Sequence, residues 1–223
     1  MFKHLNTKYD GSAKQRVVNH KRKYETDKGK LYTSVTTVTG ILGKDTIEKW
    51  RKDVGEKLAD YISNTSGAIG TEFHNIAEAY LNNDSIEEIE KTYKKIIPLA
   101  HFRNCKDYLD KIDNIHTLEA AIYSDKYELA GRVDCIAEYE GTLSIIDFKT
   151  SKKEKPEDWI LNYFCQATAY REAWKERSGE DVKQIVIIMT GLDGSVTIYK
   201  KQADDYVKDL ENTIQLYKDS LVE

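Results

Sequence analysis

Cysteine, proline and long apolar runs are all scarce in this sequence. It has three cysteines and two prolines in 223 residues, and no two cysteines form a Cys-x-x-Cys pair. This spacing argues against a zinc or iron–sulfur site, so we expect reduced thiols that act as small core residues. No apolar stretch reaches the ~20 residues that span a membrane, and there is no hydrophobic signal-peptide core. The sequence therefore predicts a cytoplasmic protein without a membrane anchor.

Charge is unevenly distributed along the chain. The net charge of −4 gives no general reason to expect a polyanionic partner. Residues 1–30, however, carry nine Lys or Arg and three acids, a local charge of +6 that leaves −10 for the remainder. We expect residues 1–33 to form a basic N-terminal arm that can meet phosphates. A solvated, flexible terminus explains the same composition equally well.

Hydrophobic periodicity indicates helices in the first half of the chain and strands in the second. Ser34 is typical of a helix N-cap, and apolar spacing predicts helices up to about residue 115, with breaks at 64–70 and near Pro98. Beyond that point the pattern predicts strands at 116–123, 129–139, 142–150, 185–189 and 196–199, and helices at 157–177 and 206–221.

This order of elements predicts an α/β fold with a mixed central β-sheet. A βββαββα core would follow an N-terminal helical subdomain. A chain of this length forms one domain by default. We expect a single domain over residues 34–223, with a helical part at 34–115 and the α/β core at 116–223.

Asp147 and Lys149 are the most informative pair of residues. They end the apolar run that begins at Leu143, and residues two apart on a strand point to the same face. Asp134 belongs to the preceding strand and would lie near Asp147 if the two strands form a hairpin. Two buried carboxylates repel each other unless a cation lies between them, and an oxygen-rich site suits Mg²⁺ or Mn²⁺. The alternative is that both acids lie in solvent at strand ends, with Lys149 as a salt-bridge partner.

Other polar residues fit the same site, each with a plainer alternative. His74 is predicted to lie on a helix, where a histidine is more often packed or solvated than a ligand. Glu119 is a charged residue inside an apolar strand, which needs a reason. Gln166 and Tyr170 share a helix face and could contact a phosphate or a base, although Tyr170 also fits an apolar core stripe.

Taken in order, these elements resemble a known family. Gly70-x-x-x-His74, Gly131-x-x-Asp134, Asp147-x-Lys149 and Gln166-x-x-x-Tyr170 together resemble the motifs of the PD-(D/E)xK nuclease superfamily, in its RecB-type branch. The segment 145–152 is most similar to the group that contains the mitochondrial genome maintenance exonuclease and its phage relatives. The resemblance covers about residues 32–200 and implies a restriction-endonuclease-like core.

The resemblance also implies a role for each matched residue. His74, Asp134 and Asp147 would bind Mg²⁺ or Mn²⁺, with the carbonyl of Phe148 as a further ligand. Lys149 would be the catalytic lysine, acting with the two aspartates. One branch of the superfamily carries an iron–sulfur cluster on four cysteines that this chain lacks, so we expect no cluster. The residues expected to support the site or the DNA are Glu119, Thr150, Ser151, Gln166 and Tyr170.

The predicted function is that of a metal-dependent DNA exonuclease which favours single-stranded DNA with a free end. Its role would lie in DNA replication, recombination or repair, with proteins of those processes as further partners, in a bacterial or phage-infected cell. A structure-specific endonuclease on DNA or RNA is the rival enzyme. A nucleic-acid-binding module without catalysis is the rival outside enzymes. Digestion polarity, metal number and oligomeric state stay open.

Overall fold

A mixed sheet of eight strands organises the chain, which the computed structural model describes at residues 1–5, 7–19 and 21–222. The strands are β1 (Ala13–Val18), β2 (Lys21–Thr26), β3 (Leu31–Ser34), β4 (Ile112–Ser124), β5 (Leu129–Tyr139), β6 (Thr142–Ser151), β7 (Gln184–Gly191) and β8 (Val196–Gln202). Their order across the sheet is β1-β2-β3-β5-β6-β7-β8, and β4 pairs with β5 outside that path. This arrangement confirms the predicted α/β fold with a mixed central sheet.

Helices cover both faces of the sheet. They are α1 (Val35–Thr39), α2 (Lys44–Val54), α3 (Glu56–Leu81), α4 (Ile86–Thr92), α5 (Ile96–Leu109), α6 (Leu161–Ser178) and α7 (Val207–Asp219). Helices α1, α6 and α7 contribute to one apolar cluster, whereas α3, α4 and α5 contribute to a second. In the described part of the chain, no helix combines the length and hydropathy that a membrane span needs.

Strand β7 shows why its sequence is apolar without interruption. Ile185 and Ile187 pack into the cluster on one face, whereas Val186 and Ile188 pack into the cluster on the other. Successive residues of a strand point to opposite faces, so a strand covered on both sides needs apolar residues at every position. The prediction of a central strand here is confirmed.

The sheet divides between β5 and β6. These antiparallel strands pair from Tyr139 opposite Thr142 as far as Cys135 opposite Ile146. Beyond that pair, β6 continues only beside β7, and the beginning of β5 pairs in parallel with the short strand β3. Two strands that separate inside a sheet leave a recess lined by the residues at the point of division.

The N-terminal region differs from its expected form. We expected an extended basic arm over residues 1–33, but described residues in this region form β1, β2 and part of β3, which join the main sheet. The strands escaped notice because most of their residues are polar, with Tyr24 and Tyr32 as the buried aromatic residues. Backbone hydrogen bonds hold the β1–β2 hairpin together. Such bonds leave no hydrophobic periodicity in the sequence from which the strands could be predicted.

The helical region also differs in its boundaries. Helix α3 runs without a break through 64–70, where we expected a loop. Gly70 lies inside this helix and does not end it, and a Cβ at this position would make an ordinary contact of 3.5 Å with the Thr150 hydroxyl. The break near Pro98 lies before the proline, which occupies the first turn of α5, where a missing N–H is tolerated.

Candidate active site

Asp134 and Asp147 face each other where the sheet divides. Each is the next residue beyond the last β5–β6 pair, Cys135 opposite Ile146, so continued register would make the two aspartates partners. Both are buried, with exposed fractions of 7% for Asp134 and 0% for Asp147. Asp134 Oδ2 accepts a hydrogen bond of 2.8 Å from the backbone N–H of Phe148. The predicted convergence of the two acids is present.

Lys149 and Gln166 hold the Asp147 carboxylate from two sides. Lys149 Nζ forms an ion pair with Asp147 Oδ2, as their spacing along one strand face predicts. Gln166 on α6 donates a hydrogen bond of 2.7 Å from Nε2 to Oδ1 of the same carboxylate. Each carboxylate oxygen of Asp147 therefore has a partner, Oδ2 in the Lys149 ammonium and Oδ1 in the Gln166 amide.

His74 reaches the acids from α3. Its Nε2 lies 2.8 Å from the carbonyl oxygen of Phe148, and its Nδ1 lies 3.5 Å from Asp134 Oδ1. The Phe148 carbonyl therefore accepts a hydrogen bond from Nε2 of His74 and fixes the orientation of the ring. Nδ1 is then directed at the Asp134 carboxylate. A direct contact between the Phe148 carbonyl and a metal stays a prediction.

Glu119 completes the group of ligand atoms. It lies on β4 between Leu118 and Ala120, which pair with Cys135 and Val133, and its backbone φ of 48° lies in the left-handed region. Such a conformation is uncommon for a residue other than glycine and is held by its surroundings. Glu119 Oε1 lies 3.9 Å from Nδ1 of the His74 ring.

Burial and mutual charge set the protonation of these side chains. Burial raises the pKa of Asp147 to about 6 although Lys149 opposes the shift, and burial together with Asp134 raises that of Glu119 to about 7. Burial disfavours protonated His74, yet the Asp134 carboxylate raises its pKa to about 9, and His74 in turn lowers the pKa of Asp134 despite burial. Burial lowers the pKa of Lys149 and the Asp147 carboxylate raises it, and the net result is a raised pKa. The raised pKa values of Asp147 and Glu119 show that burial and the neighbouring Asp134 disfavour their negative charges, which a cation would stabilise.

The donor atoms fit a divalent cation. One ligand atom each from His74, Glu119 and Asp134 lie within 4.8 Å of one another. A cation with bonds of ~2.1 Å holds opposed ligands ~4.2 Å apart, so small side-chain rotations complete the coordination. One imidazole with two carboxylates is a donor set that can hold a divalent cation. Asp147, whose Oδ2 pairs with Lys149, is not one of these three residues.

Tyr170 and Gly131 pack against each other beside this group. Tyr170 is buried, and a Cβ at Gly131 would lie 2.7 Å from its Cε1 atom. The glycine of the Gly131-x-x-Asp134 motif is therefore required by the neighbouring ring. Gln166 contacts Asp147 directly, and Tyr170 both belongs to the apolar cluster under α6 and lines the cavity over the candidate ligands.

Thr150 and Ser151 do not line the cavity that covers His74, Glu119 and Asp134. Together with Ser66, Ile69 and other residues they line a small recess of about 80 Å³ beside it. Ser151 Oγ donates a hydrogen bond of 2.7 Å to the carbonyl of Lys153. The predicted contact of these two hydroxyls with phosphates thus receives no support from their surroundings.

The cavity over the candidate ligands has a volume of about 510 Å³ and is lined partly by residues that the sequence analysis missed. Arg132 could have been recognised, because it lies two positions before Asp134 on the same strand face. The residues of β1 and β2 could not, because that region was not expected to form strands. The missed residues are Gln15, Arg22, Tyr24, Ser34, Thr36, Thr71, Asn75 and Arg132.

Known proteins provide an independent comparison. The chain is 29% identical over 115 residues to mitochondrial genome maintenance exonuclease 1 of Homo sapiens, a match that covers 49% of this chain and 33% of that protein. The protein of the same name from Mus musculus is 30% identical over 135 residues, covering 55% and 39%. The match therefore spans well under half the length of these curated relatives.

Structural similarity and a family match extend over more of the chain. The crystal structure of SSO0001 aligns with a TM-score of 0.41 at 16% identity, covering 80% of this chain and 74% of that one, and we infer nothing about function from it. Residues 46–220 match the PD-(D/E)XK nuclease superfamily, which is most of the chain. The protein is thus a member of the PD-(D/E)XK nuclease superfamily.

Proposed function

We propose that this protein is a metal-dependent DNA exonuclease. It hydrolyses phosphodiester bonds and favours single-stranded DNA that has a free end. Membership of the nuclease superfamily supports the reaction, and the names of the human and mouse relatives support the exonuclease activity. Its role lies in DNA replication, recombination or repair.

One observation carries the proposal. Asp134 and Asp147 occupy opposed positions at the division of the sheet, and Lys149 pairs with Asp147 there. Two buried acids so close together are costly without a cation, and a lysine within reach supplies positive charge beside them. A protein that only binds nucleic acid needs neither feature. A phosphodiesterase uses both.

The residues take distinct roles in the proposed reaction. His74, Asp134 and Asp147 hold a divalent cation, Mg²⁺ or Mn²⁺, with Glu119 and the Phe148 carbonyl as further oxygen ligands. When bound, the cation polarises the scissile phosphate and lowers the pKa of a coordinated water. Gln166 keeps the Asp147 carboxylate oriented through its hydrogen bond of 2.7 Å.

Lys149 directs the attack. Its ammonium orients the attacking water in line with the scissile bond and offsets charge that develops on the phosphate oxygens. The attack leaves a 5′-phosphate and a 3′-hydroxyl. Helix α3 forms a wall beside the site, where Gly70, Thr71 and Asn75 line the cavity next to His74. Such a wall favours a single strand over a duplex.

Cleavage of end-labelled DNA with and without divalent cation tests the proposal. We expect cleavage in Mn²⁺ or Mg²⁺ and none in EDTA, and a loss of about 10²- to 10⁴-fold in Lys149→Ala. Lys208→Ala, which removes an exposed lysine of α7, is the matched control and should retain full activity. Cleavage by Lys149→Ala at the wild-type rate would rule out the assigned chemistry.

The substrate form separates the rival activities. Linear single strands should be cut and circular single strands of the same sequence should remain intact, because an exonuclease needs an end. Equal cutting of circles would favour the endonuclease. Retained DNA binding without any cutting in either metal would favour the non-catalytic module.

A further inference from the structure

The β1–β2 hairpin has two chemically different faces. Its register places Gln15 opposite Tyr24 and Val17 opposite Arg22, so these four share one face. Gln15, Arg22 and Tyr24 line the cavity that holds the candidate metal ligands. Arg16 belongs to the opposite face, where it forms an ion pair of 2.8 Å with Glu25.

The cavity is therefore polarised between two walls. One wall carries His74, Glu119 and Asp134, and the β1–β2 hairpin supplies the basic wall through Arg22. Arg132 lies on β5, on the strand face of Asp134. Among the described residues, Arg22 makes no ion pair, and Arg132 has a 3.7 Å contact with Glu119. The guanidinium group of Arg22, which lines the cavity without a carboxylate partner among the described residues, is suited to phosphate oxygens.

An exposed apolar residue lies beside Arg22 on the same face of the hairpin. Val17 lies opposite Arg22 in the hairpin and is 72% exposed. Its side chain offers exposed apolar contact area on the same face of the hairpin as Arg22. A free anion uses only the charge, whereas a nucleic-acid strand uses both the charge and the apolar contact.

We propose that the cavity face of the β1–β2 hairpin binds the phosphate next to the scissile one in a DNA strand. Arg22 is the principal contact, and Arg132 contributes a second charge from β5. The scissile phosphate lies at the acidic wall and its neighbour at the basic wall, so the strand crosses the cavity between them. The identity of the strand as substrate rests on the proposed function.

Binding without cleavage tests this inference. Wild type, Arg22→Ala, Arg22→Lys and Arg16→Ala are each titrated with a fluorescent single-stranded oligonucleotide in EDTA, by anisotropy, at several NaCl concentrations. We expect Arg22→Ala to bind about five- to tenfold more weakly and to show a salt dependence reduced by about 0.7 in log Kd against log[NaCl], the value for one phosphate contact on a single strand. Arg22→Lys should retain most of the affinity.

Arg16→Ala is the matched control, because it removes an arginine of the same hairpin from the opposite face. It should bind within twofold of wild type. Equal losses for Arg16→Ala and Arg22→Ala, or an unchanged salt dependence in Arg22→Ala, would overturn the inference. Arg22 is exposed, and unchanged circular dichroism should show that the variants fold.

Two further arms separate the possible explanations. Inorganic phosphate at matched ionic strength should not displace the oligonucleotide; displacement would show a site for a free anion and overturn the inference. Arg22-dependent binding by a protein that cuts no DNA in either metal would sustain the inference while the proposed function fails. Cleavage by Arg22→Ala at the wild-type rate, with its DNA binding also unaltered, would overturn the inference while the proposed function stands.

Discussion

The ammonium of Lys149 lies 4.9 Å from the centre of the Tyr163 ring while it pairs with Asp147. A cation at this distance from an aromatic ring is attracted to its face, and the interaction strengthens as water is excluded. Lys149 is thus held between a carboxylate on its own strand and a ring on α6. Lys155 Nζ lies 3.3 Å from the hydroxyl of the same tyrosine, so this ring also connects the site to the loop after β6.

We expect Tyr163 to position Lys149. Tyr163→Leu should lower kcat about tenfold with little change in KM, because a loss of ~1–2 kcal/mol of cation–π attraction leaves the ammonium poorly oriented. Tyr163→Phe keeps the ring face and should retain most of the activity. Steady-state kinetics on single-stranded DNA in Mn²⁺ checks both. A rise in KM alone would show that Tyr163 contacts DNA and does not act through Lys149.

Gly131 and Gly67 should respond in opposite ways to alanine. A Cβ at Gly131 would lie 2.7 Å from Tyr170, so Gly131→Ala should destabilise the fold by about 1–3 kcal/mol. A Cβ at Gly67 on α3 meets nothing within 4 Å, so Gly67→Ala should stabilise by about 0.5–1 kcal/mol through helix propensity. Urea unfolding measures both. A destabilising Gly67→Ala would contradict the unbroken helix.

Acid should remove the contribution of Asp125. Its Oδ1 accepts hydrogen bonds of 2.6 Å from Tyr32 and 2.9 Å from Lys30, and these contacts lower its pKa to about 2. A carboxyl whose pKa is lowered by folding stabilises above its ordinary pKa near 3.8, and this stability is lost as the pH falls towards 2. We expect Asp125→Asn to unfold more readily than wild type at pH 5, with the difference shrinking towards pH 2.5.

The urea midpoints of wild type and Asp125→Asn at the two pH values measure this change. Asp205→Asn replaces an exposed acid for which the described residues provide no ion pair, and it serves as the control. A difference between wild type and Asp125→Asn that stays constant over this pH range would show that the ionised carboxylate is not the source of the stability.

Glu119 should have opposite effects with and without metal. It lies with Asp134 among the candidate ligands, and burial together with that neighbouring charge raises its pKa to about 7. At pH 8 in EDTA, Glu119→Gln should have a higher melting temperature than wild type, because it removes one of two repelling charges. In Mn²⁺ it should gain less thermal stability than wild type, because it loses a ligand. Equal gains would exclude Glu119 from the site.

Much of the site follows from local rules of strand geometry. The spacing of Asp147 and Lys149 on one strand predicted their shared face, and the short turn at 140–141 predicted that Asp134 would meet Asp147. Their contacts follow from covalent geometry and hairpin register, which a sequence displays directly. The fold class was predicted for the same reason, since β6 and β7 carry continuous apolar runs.

The parts that escaped prediction depend on distant contacts. Glu119 joins His74 through a left-handed backbone conformation that no residue type announces. Strands β1 and β2 are polar, so nothing in their periodicity indicates a sheet, and Arg22 could not be assigned to the cavity. Gly70 suggested a helix break, yet it lies inside α3 where the helix passes Thr150 of β6. Each case needs the tertiary partner, which a local window does not contain.

Binding of Mn²⁺ tests the central claim most directly, because it asks whether the acids at the division of the sheet hold a cation. Electron paramagnetic resonance counts free Mn²⁺ during titration of wild type, Asp134→Asn and the exposed control Asp205→Asn. We expect wild type and the control to bind alike and Asp134→Asn to bind more than about tenfold more weakly, since even outer contacts of a metal contribute that much. Unchanged Mn²⁺ affinity in Asp134→Asn, or no binding by wild type, would contradict the account.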